Sequence, residues 1–434
     1  MSGQAGMSVL SGRAGTVAPS GAGTHGDANA LLAEIEGIGL APDGGGYTRP
    51  VFSPAELRLR SWFTAHAEAR GLAVETDRNG IIWAWWDVAG GPTATATARR
   101  DAIVTGSHLD SVPGGGNFDG PLGVVSALAA VDLLRDRGVR PVRPLAVAVF
   151  PEEEGSRFGI ACLGSRLLAG AVAPERVHAL VDDSGSTFDE VAAGAGFDAS
   201  GIGPDPDRLG DISAFVELHV EQGRGLVDLD QPVALAGAII AHGRWHLRIE
   251  GRGDHAGATR MADRSDPVIV ASEAIRSVRQ RALAVDDARG TVGRIKVVPG
   301  GTNVIASAVD LWIDVRHRDV ERVRRIVEQV VADTRRAAEA EDCTLAVAEQ
   351  SFSPTVSFDP ELRDRMQAVL PGAPVLDTGA GHDAGVLAAS IPTGMLFVRN
   401  PSGASHTPAE SAEPADVAAG VEALARVLEH LVTR

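Results

Sequence analysis

The chain has 434 residues, beyond the roughly 250–300 at which one hydrophobic core stops growing, so two or more folding units are expected. Apolar residues make up 44% and charged residues 22%, the balance of an ordinary soluble globular protein. A formal charge of −17 with no Lys/Arg cluster to relieve it repels nucleic-acid phosphates and anionic lipid, which argues against nucleic acid or a membrane and for a small-molecule partner.

In chain order, residues 1–30 are rich in Gly, Ala, Ser and Thr, lack the apolar stretch of a secretory signal, and read as a disordered tail. "AIVTGS" at 102–107 has a strand pattern, "PLGVVSALAAVDLLRDRG" at 121–138 a helical pattern stopped by Gly138, and "PLAVAVF" at 144–150 the run of a buried strand. This βαβ order predicts an α/β fold with a mainly parallel sheet flanked by helices. "ISAFVELHV" at 212–220 adds a further strand. From 236 the pattern changes: an alternating strand at 245–249, a helix near 266–284 and an amphipathic Arg/Glu-rich helix at 320–341 predict a smaller α+β unit. Beyond 352 the chain returns to Gly-rich motifs at 379–385 and 403–410. The first unit is therefore read as discontinuous, 31–235 with 353–434, interrupted by an insert at 236–352. No run approaches the roughly 18 apolar residues of a membrane span. Cys162 and Cys343 are too few for a disulfide framework, and a cytoplasmic, reducing location is expected.

The chemistry-bearing residues collect in four short stretches. "GSHLDSVPGGGNFDG" at 106–120 sets His108 and Asp119 on either side of Gly114, Gly115 and Gly116, which let the backbone fold tightly. "PEEEGSRF" places Glu153 and Glu154 just past a buried strand, at the sheet edge where α/β proteins gather functional groups. "HVEQG" adds His219, and "GASHTPAE" adds His406 in a Gly/Pro loop. His, Asp and Glu without Cys form a ligand field suited to Zn²⁺ or Mn²⁺, and suggest metal-assisted hydrolysis. Plainer readings apply elsewhere. His66, His178 and His430 read as ordinary polar or core histidines, and a glutamate run alone is usually solvated charge. "GAGTHG" at 21–26 matches a dinucleotide fingerprint but follows no strand. No G-x-S-x-G is present, so there is no serine-hydrolase elbow.

Taken together, "GSHLDSVPGGGNFDGPLGV", "EEGSRF", "HVEQG", "DHAGATRMADRSDP", "GGTNVIAS", "DVRH", "GAGHDAG" and "SHTPAE" resemble the amidase/carbamoylase branch of the M20 metallopeptidase-like superfamily, over about residues 30–434. That branch includes allantoate amidohydrolases, N-carbamoyl-L-amino acid hydrolases, ureidoglycolate hydrolases and β-ureidopropionases. Glu152 stands where the branch commonly has Asp, and Asp254 where it commonly has Asn.

The resemblance implies two divalent metal ions per subunit, Zn or Mn, bridged by Asp119. His108 and His219 would complete one site, and Glu154 and His406 the other. Glu153 would be the general base, and Asp110 would orient the His108 imidazole. His255 would assist the oxyanion, and Asn303 and Arg316 would hold the substrate carboxylate, reaching the site across a homodimer when the inserted lid and dimerisation unit closes. Gln222 would meet the ureido end, with His382 and Asp383 in supporting positions. The implied reaction is hydrolysis of the terminal ureido C–N bond of a small carboxylate. Allantoate comes first, on "NGIIWAWW", "HAGATRMADR" and "FVRNPSGASHTPAE"; N-carbamoyl-L-amino acids come next. Dipeptides are disfavoured by "HVEQG" and "GGTN".

Overall fold

The computed structural model describes residues 27–88 and 99–434. Of the expected tail, residues 1–26 lie outside the described residues, while residues 28–30 are the first turn of a helix, Ala28–Ile35. The Asp27 side chain caps it by accepting the Asn29 N–H, and Leu31, Leu32 and Ile35 are buried. Composition alone missed this helix because its apolar face is only eight residues long.

Fifteen strands follow among the described residues: β1 (Ala73–Thr76), β2 (Ile82–Trp86), β3 (Ala102–His108), β4 (Leu145–Phe150), β5 (Ile212–Val220), β6 (Val233–Ile239), β7 (Ala241–Glu250), β8 (Asp254–His255), β9 (Arg289–Val298), β10 (Val304–Ile305), β11 (Ala308–His317), β12 (Thr344–Ser353), β13 (Val356–Ser357), β14 (Val375–Thr378) and β15 (Thr393–Val398). Nine form one sheet in the order β1-β2-β4-β3-β5-β15-β6-β13, with β14 beside β6. Its centre, β4-β3-β5-β15, is parallel throughout. Antiparallel pairs flank it: β1/β2, β2/β4, β15/β6 and β6/β13. The expected βαβ unit is present, with helix Pro121–Asp136 crossing from β3 to β4.

Central strands are buried on both faces because each face has its own apolar layer. In β4, Leu145, Val147 and Val149 point into one cluster, with helices Pro121–Asp136 and Pro414–Val432. Ala146, Ala148 and Phe150 point into the other, with Trp83, Trp85, Phe215 and Phe397. A strand with period 2 and two covered faces reads as a continuous apolar run, which is why "LAVAVF" shows no alternation.

The second sheet, β12-β7-β11-β9, is antiparallel. Helices Pro267–Leu283 and Val320–Ala340 cover one of its faces, packing on Leu247, Ile249, Leu311 and Ile313. The expected break at 236 falls inside β6, which belongs to the large sheet, so sheet membership changes at Ile240. The chain returns to the large sheet at β13. The sequence hides this junction because β6 and β7 are separated by one apolar residue, with no turn signal between them.

Candidate metal centre

Parallel strands release their side chains at one edge, and here four neighbouring strands do so together. β3 ends on His108, β5 carries His219 near its end, β4 runs into Glu152–Glu154, and β15 leads into the loop bearing His406. The His108 and His219 rings stack 5.9 Å apart. Asp119 reaches them from the turn before helix Pro121–Asp136, where Gly120 has φ +84. A Cβ on Gly120 would lie 2.5 Å from the His108 ring, so that glycine is a requirement of close approach.

The two oxygens of Asp119 face different partners. Oδ1 lies 3.5 Å from His108 Nε2 and 3.2 Å from His219 Nε2. Oδ2 lies 3.5 Å from His406 Nε2, which is itself 3.2 Å from Glu154 Oε2. The ligand atoms of His108, Asp119 and His219 lie within 4.8 Å of one another, as do those of Asp119, Glu154 and His406.

His108 Nδ1 sits 3.0 Å from the Asp110 carbonyl and His219 Nδ1 2.9 Å from the Val220 carbonyl. A ring nitrogen facing a carbonyl carries the hydrogen, which leaves Nε2 with a bare lone pair in the neutral tautomer. Both Nε2 atoms, and Glu154 Oε1, are buried without a hydrogen-bond partner. Buried polar atoms are rarely left so. Burial opposes charge on His108, yet the carboxylates of Glu153, Asp110 and Asp119 hold its imidazole well above the usual range. Burial also opposes charge on Asp119, and His108 and His219 nevertheless hold its carboxyl well below normal. Three imidazoles with two carboxylates form a donor set that fits two borderline divalent cations.

Glu153 is buried beside this set, its Oε2 3.6 Å from His108 Nε2. Burial pushes its carboxyl well above the ordinary range, with His108 pulling down and Asp383 and Glu154 pushing up. Cys162 Sγ donates to its Oε1 at 3.3 Å. Asp110 does more than face His108. Its carboxylate accepts the N–H groups of Glu153 (3.2 Å) and Glu154 (3.1 Å), and it is the Asp110 carbonyl that lies closer to His108, its carboxylate being 3.5 Å away.

Gln222 Nε2 donates to Asp119 Oδ2 at 2.7 Å and to Ser405 Oγ at 3.0 Å. His382 packs edge-on to His219 at 4.5 Å with both ring nitrogens unpartnered, and burial together with His219 holds it well below the usual range. Asp383 accepts the Ser165 hydroxyl at 2.5 Å and is pushed up to about 8, by burial first and then by Glu217.

Two residues escaped the sequence reading. Glu410 Oε1 accepts the N–H groups of Phe118 and Asp119, both at 2.9 Å, tying the His406 loop to the Asp119 turn. Glu217 accepts from Ser107 Oγ (2.8 Å) and Ala384 N (3.0 Å), joining β3, β5 and helix Asp383–Leu387. A glutamate inside the otherwise apolar "FVELHV" was the available signal for Glu217.

Asp119, Glu153, Glu154, Gln222, His406 and Arg316 line one cleft of about 1650 Å³. Arg316 enters from the small sheet, bound to Asp314 at 2.6 and 3.0 Å and to the Gly379 carbonyl at 2.6 Å. His255 and Asn303 are not brought there by their own chain. They sit together at the exposed β8/β10 ribbon, where the Asn303 carbonyl accepts the Ala256 N–H and His255 Nδ1 accepts the N–H of Gly257 and Ala258.

The sequence matches the model of peptidase family M20/M25/M40 over residues 104–430. The chain belongs to this family. Among its relatives, the N-carbamoyl-L-amino acid amidohydrolase of Geobacillus stearothermophilus is 34% identical over 91% of this chain and 95% of the relative. The allantoate amidohydrolase of Escherichia coli (strain K12) is 31% identical over 90% of this chain and 94% of the relative. A hydantoinase/carbamoylase family amidase from Burkholderia multivorans superposes with a TM-score of 0.82 at 29% identity, covering 94% of this chain and 97% of that one. The mainly parallel α/β architecture expected from the sequence is thus this family's.

Proposed function

We propose that this member of the M20/M25/M40 family is a two-metal amidohydrolase that cleaves the terminal ureido C–N bond of a small carboxylate. The observation that carries this reading is the two-sided Asp119, with bare buried Nε2 atoms on one side, the His406–Glu154 pair on the other and Glu153 alongside. Asp119 would be shared between two divalent ions, Zn or Mn, which His108 and His219 on one side and Glu154 and His406 on the other would help to hold. When bound, such ions polarise the scissile carbonyl and make a water molecule easier to deprotonate.

Glu153 accepts the proton of the attacking water and returns it to the leaving nitrogen. The water oxygen bonds to the ureido carbon, the terminal C–N bond breaks, ammonia departs, and the remaining carbamate loses carbon dioxide. Gln222, next to Asp119, holds the ureido end. Arg316 meets the substrate carboxylate from the facing wall, a task that suits a planar guanidinium. Asp110 fixes the backbone that carries Glu153 and Glu154, while His382 and Asp383 back the His219 side.

In this reading His255, for the oxyanion, and Asn303, for the carboxylate, come from the second subunit of a homodimer, with the insert acting as lid and dimer contact. Residues 241–353 form that insert, and the flanking segments form the metal-bearing unit. No described helix is long and apolar enough to cross a membrane, and both cysteines are free, which supports a cytoplasmic placement. Allantoate and N-carbamoyl-L-amino acids are both ureido acids of this class, and allantoate is the first reading. Metal content tests the centre itself. After reconstitution, Asp119→Ala should hold neither ion tightly and be inactive; two tightly held ions would show that the bridge lies elsewhere.

A further inference from the structure

The cleft wall opposite the metal centre is the uncovered face of the small sheet, and its charges do not balance. In the registers of β7, β11 and β9, Arg316 stands directly opposite Arg289, and Asp314 stands between Arg244 and Thr291. Directly opposed residues of an antiparallel pair share a face, and like charges so placed are destabilising unless something offsets them. Arg244, Arg289 and Arg316 all line the cleft.

Two carboxylates stand near this group: Asp314 binds Arg316 at 2.6 and 3.0 Å and Arg244 at 3.3 Å, while Asp287 lines the cleft two residues before Arg289 and forms no ion pair with it among the described residues. Arg289 has only the Asp287 carbonyl, at 3.2 Å, and no ion pair among the described residues. The other two arginines on that side are matched, Arg318 with Asp377 and Arg322 with Asp319. On the facing wall Arg224 lies over Gly403, in the loop that carries His406, with no ion pair or side-chain hydrogen bond among the described residues. In a chain of net charge −17, unmatched guanidiniums gathered in one cleft are out of keeping with the surface as a whole.

A ureido acid with one carboxylate satisfies Arg316 and leaves Arg289 beside it uncompensated. A neutral ureido oxygen can accept a hydrogen bond from Arg289 but brings no charge. Two carboxylates would satisfy both. We propose that Arg289 and Arg316 form a paired subsite for a dianionic substrate, so that the ureido acid this enzyme takes carries a second carboxylate, as an N-carbamoyl acidic amino acid does. The proposal rests on the ureido-hydrolase reading for the reaction, whereas the anion subsite stands on the register and the charge balance. Allantoate, with one carboxylate, then ranks below the acidic N-carbamoyl amino acids.

The test compares kcat/KM of the metal-loaded enzyme on N-carbamoyl-L-aspartate and N-carbamoyl-L-glutamate with that on N-carbamoyl-L-alanine and allantoate. The diacids should be preferred by about tenfold or more, and Arg289→Gln should cut the diacid-to-monoacid ratio by about tenfold, the scale expected when a charge-assisted contact is lost. A second arm needs no turnover: succinate should bind the wild type more tightly than propionate does, and Arg289→Gln should remove that advantage. Arg289 is exposed at a strand end, and an unchanged thermal midpoint will show that the variant folds. A diacid-to-monoacid ratio that Arg289→Gln leaves unchanged, or a wild type that prefers allantoate, overturns the proposal. If no ureido acid is turned over, the reaction assignment fails instead, and the succinate arm still decides the subsite.

Discussion

Glu153 and Glu154 are adjacent in the chain but differ in their surroundings. Glu154 Oε2 faces His406 at 3.2 Å, whereas Glu153 lies between His108 and the Cys162 thiol. In the proposed reaction that difference would divide ligand from base. Glu153→Gln keeps the shape and removes the proton acceptor, so kcat should fall by roughly 10²–10⁴-fold, with metal content unchanged. Near-normal turnover, or loss of metal along with activity, would contradict the assignment. At this scale His108, Asp119, His219 and His406 were legible because each sits in a short motif at a strand end or Gly-rich turn. Glu410 was not, because its partner N–H lies 291 residues away and nothing local announces so distant a contact. The part played by Asp110 was half legible: its nearness to His108 follows from two-residue spacing, but its grip on the Glu153–Glu154 backbone depends on β3 and β4 being neighbours.

The helices that back the small sheet are joined by a polar clasp. Asp333, on Val320–Ala340, accepts from Arg281 at 2.9 and 2.9 Å and from Ser277 Oγ at 2.6 Å, both on Pro267–Leu283. Arg281 first, then Ser277 and Arg336, pull its carboxyl down to about 2 against the cost of burial. A depressed carboxyl stabilises the fold above its unfolded pKa, near 4, and that contribution is lost as pH falls towards 2. Because the pair is partly exposed, we expect Asp333→Asn to cost only about 1 kcal/mol at pH 7, read from urea midpoints, and the gap to wild type to close near pH 2. Equal stability at pH 7, or the same gap at both pH values, would contradict this. Element positions here were readable from amphipathic spacing: the helix expected at 320–341 is Val320–Ala340, and that near 266–284 is Pro267–Leu283. The junction between sheets was not, since β6 and β7 read as one long apolar-to-alternating stretch whose division depends on which strands lie alongside.

Across the whole molecule, the βαβ order made the large sheet legible, whereas the sequence could not show how far the insert's residues stand from the metal cleft. His255 and Asn303 lie at the exposed ribbon, so a role for them at the cleft calls for a second subunit. Mixing inactive Glu153→Gln with inactive His255→Ala protein should restore activity, because a hybrid dimer holds one site with both defects and one with neither. Random exchange of equal pools should return roughly a quarter of wild-type activity. With hybrids verified by native mass spectrometry, no recovery would place His255 in its own chain's site. Ureido C–N hydrolysis at a two-metal centre can be checked by ammonia release from protein reconstituted with Zn²⁺ or Mn²⁺, across a panel of allantoate, N-carbamoyl-L-amino acids, ureidoglycolate, β-ureidopropionate and dipeptides. Metal-dependent ammonia is expected from at least one ureido acid, with no dipeptide cleavage; metal-loaded protein that cleaves dipeptides while releasing no ammonia from any ureido acid would overturn the assignment.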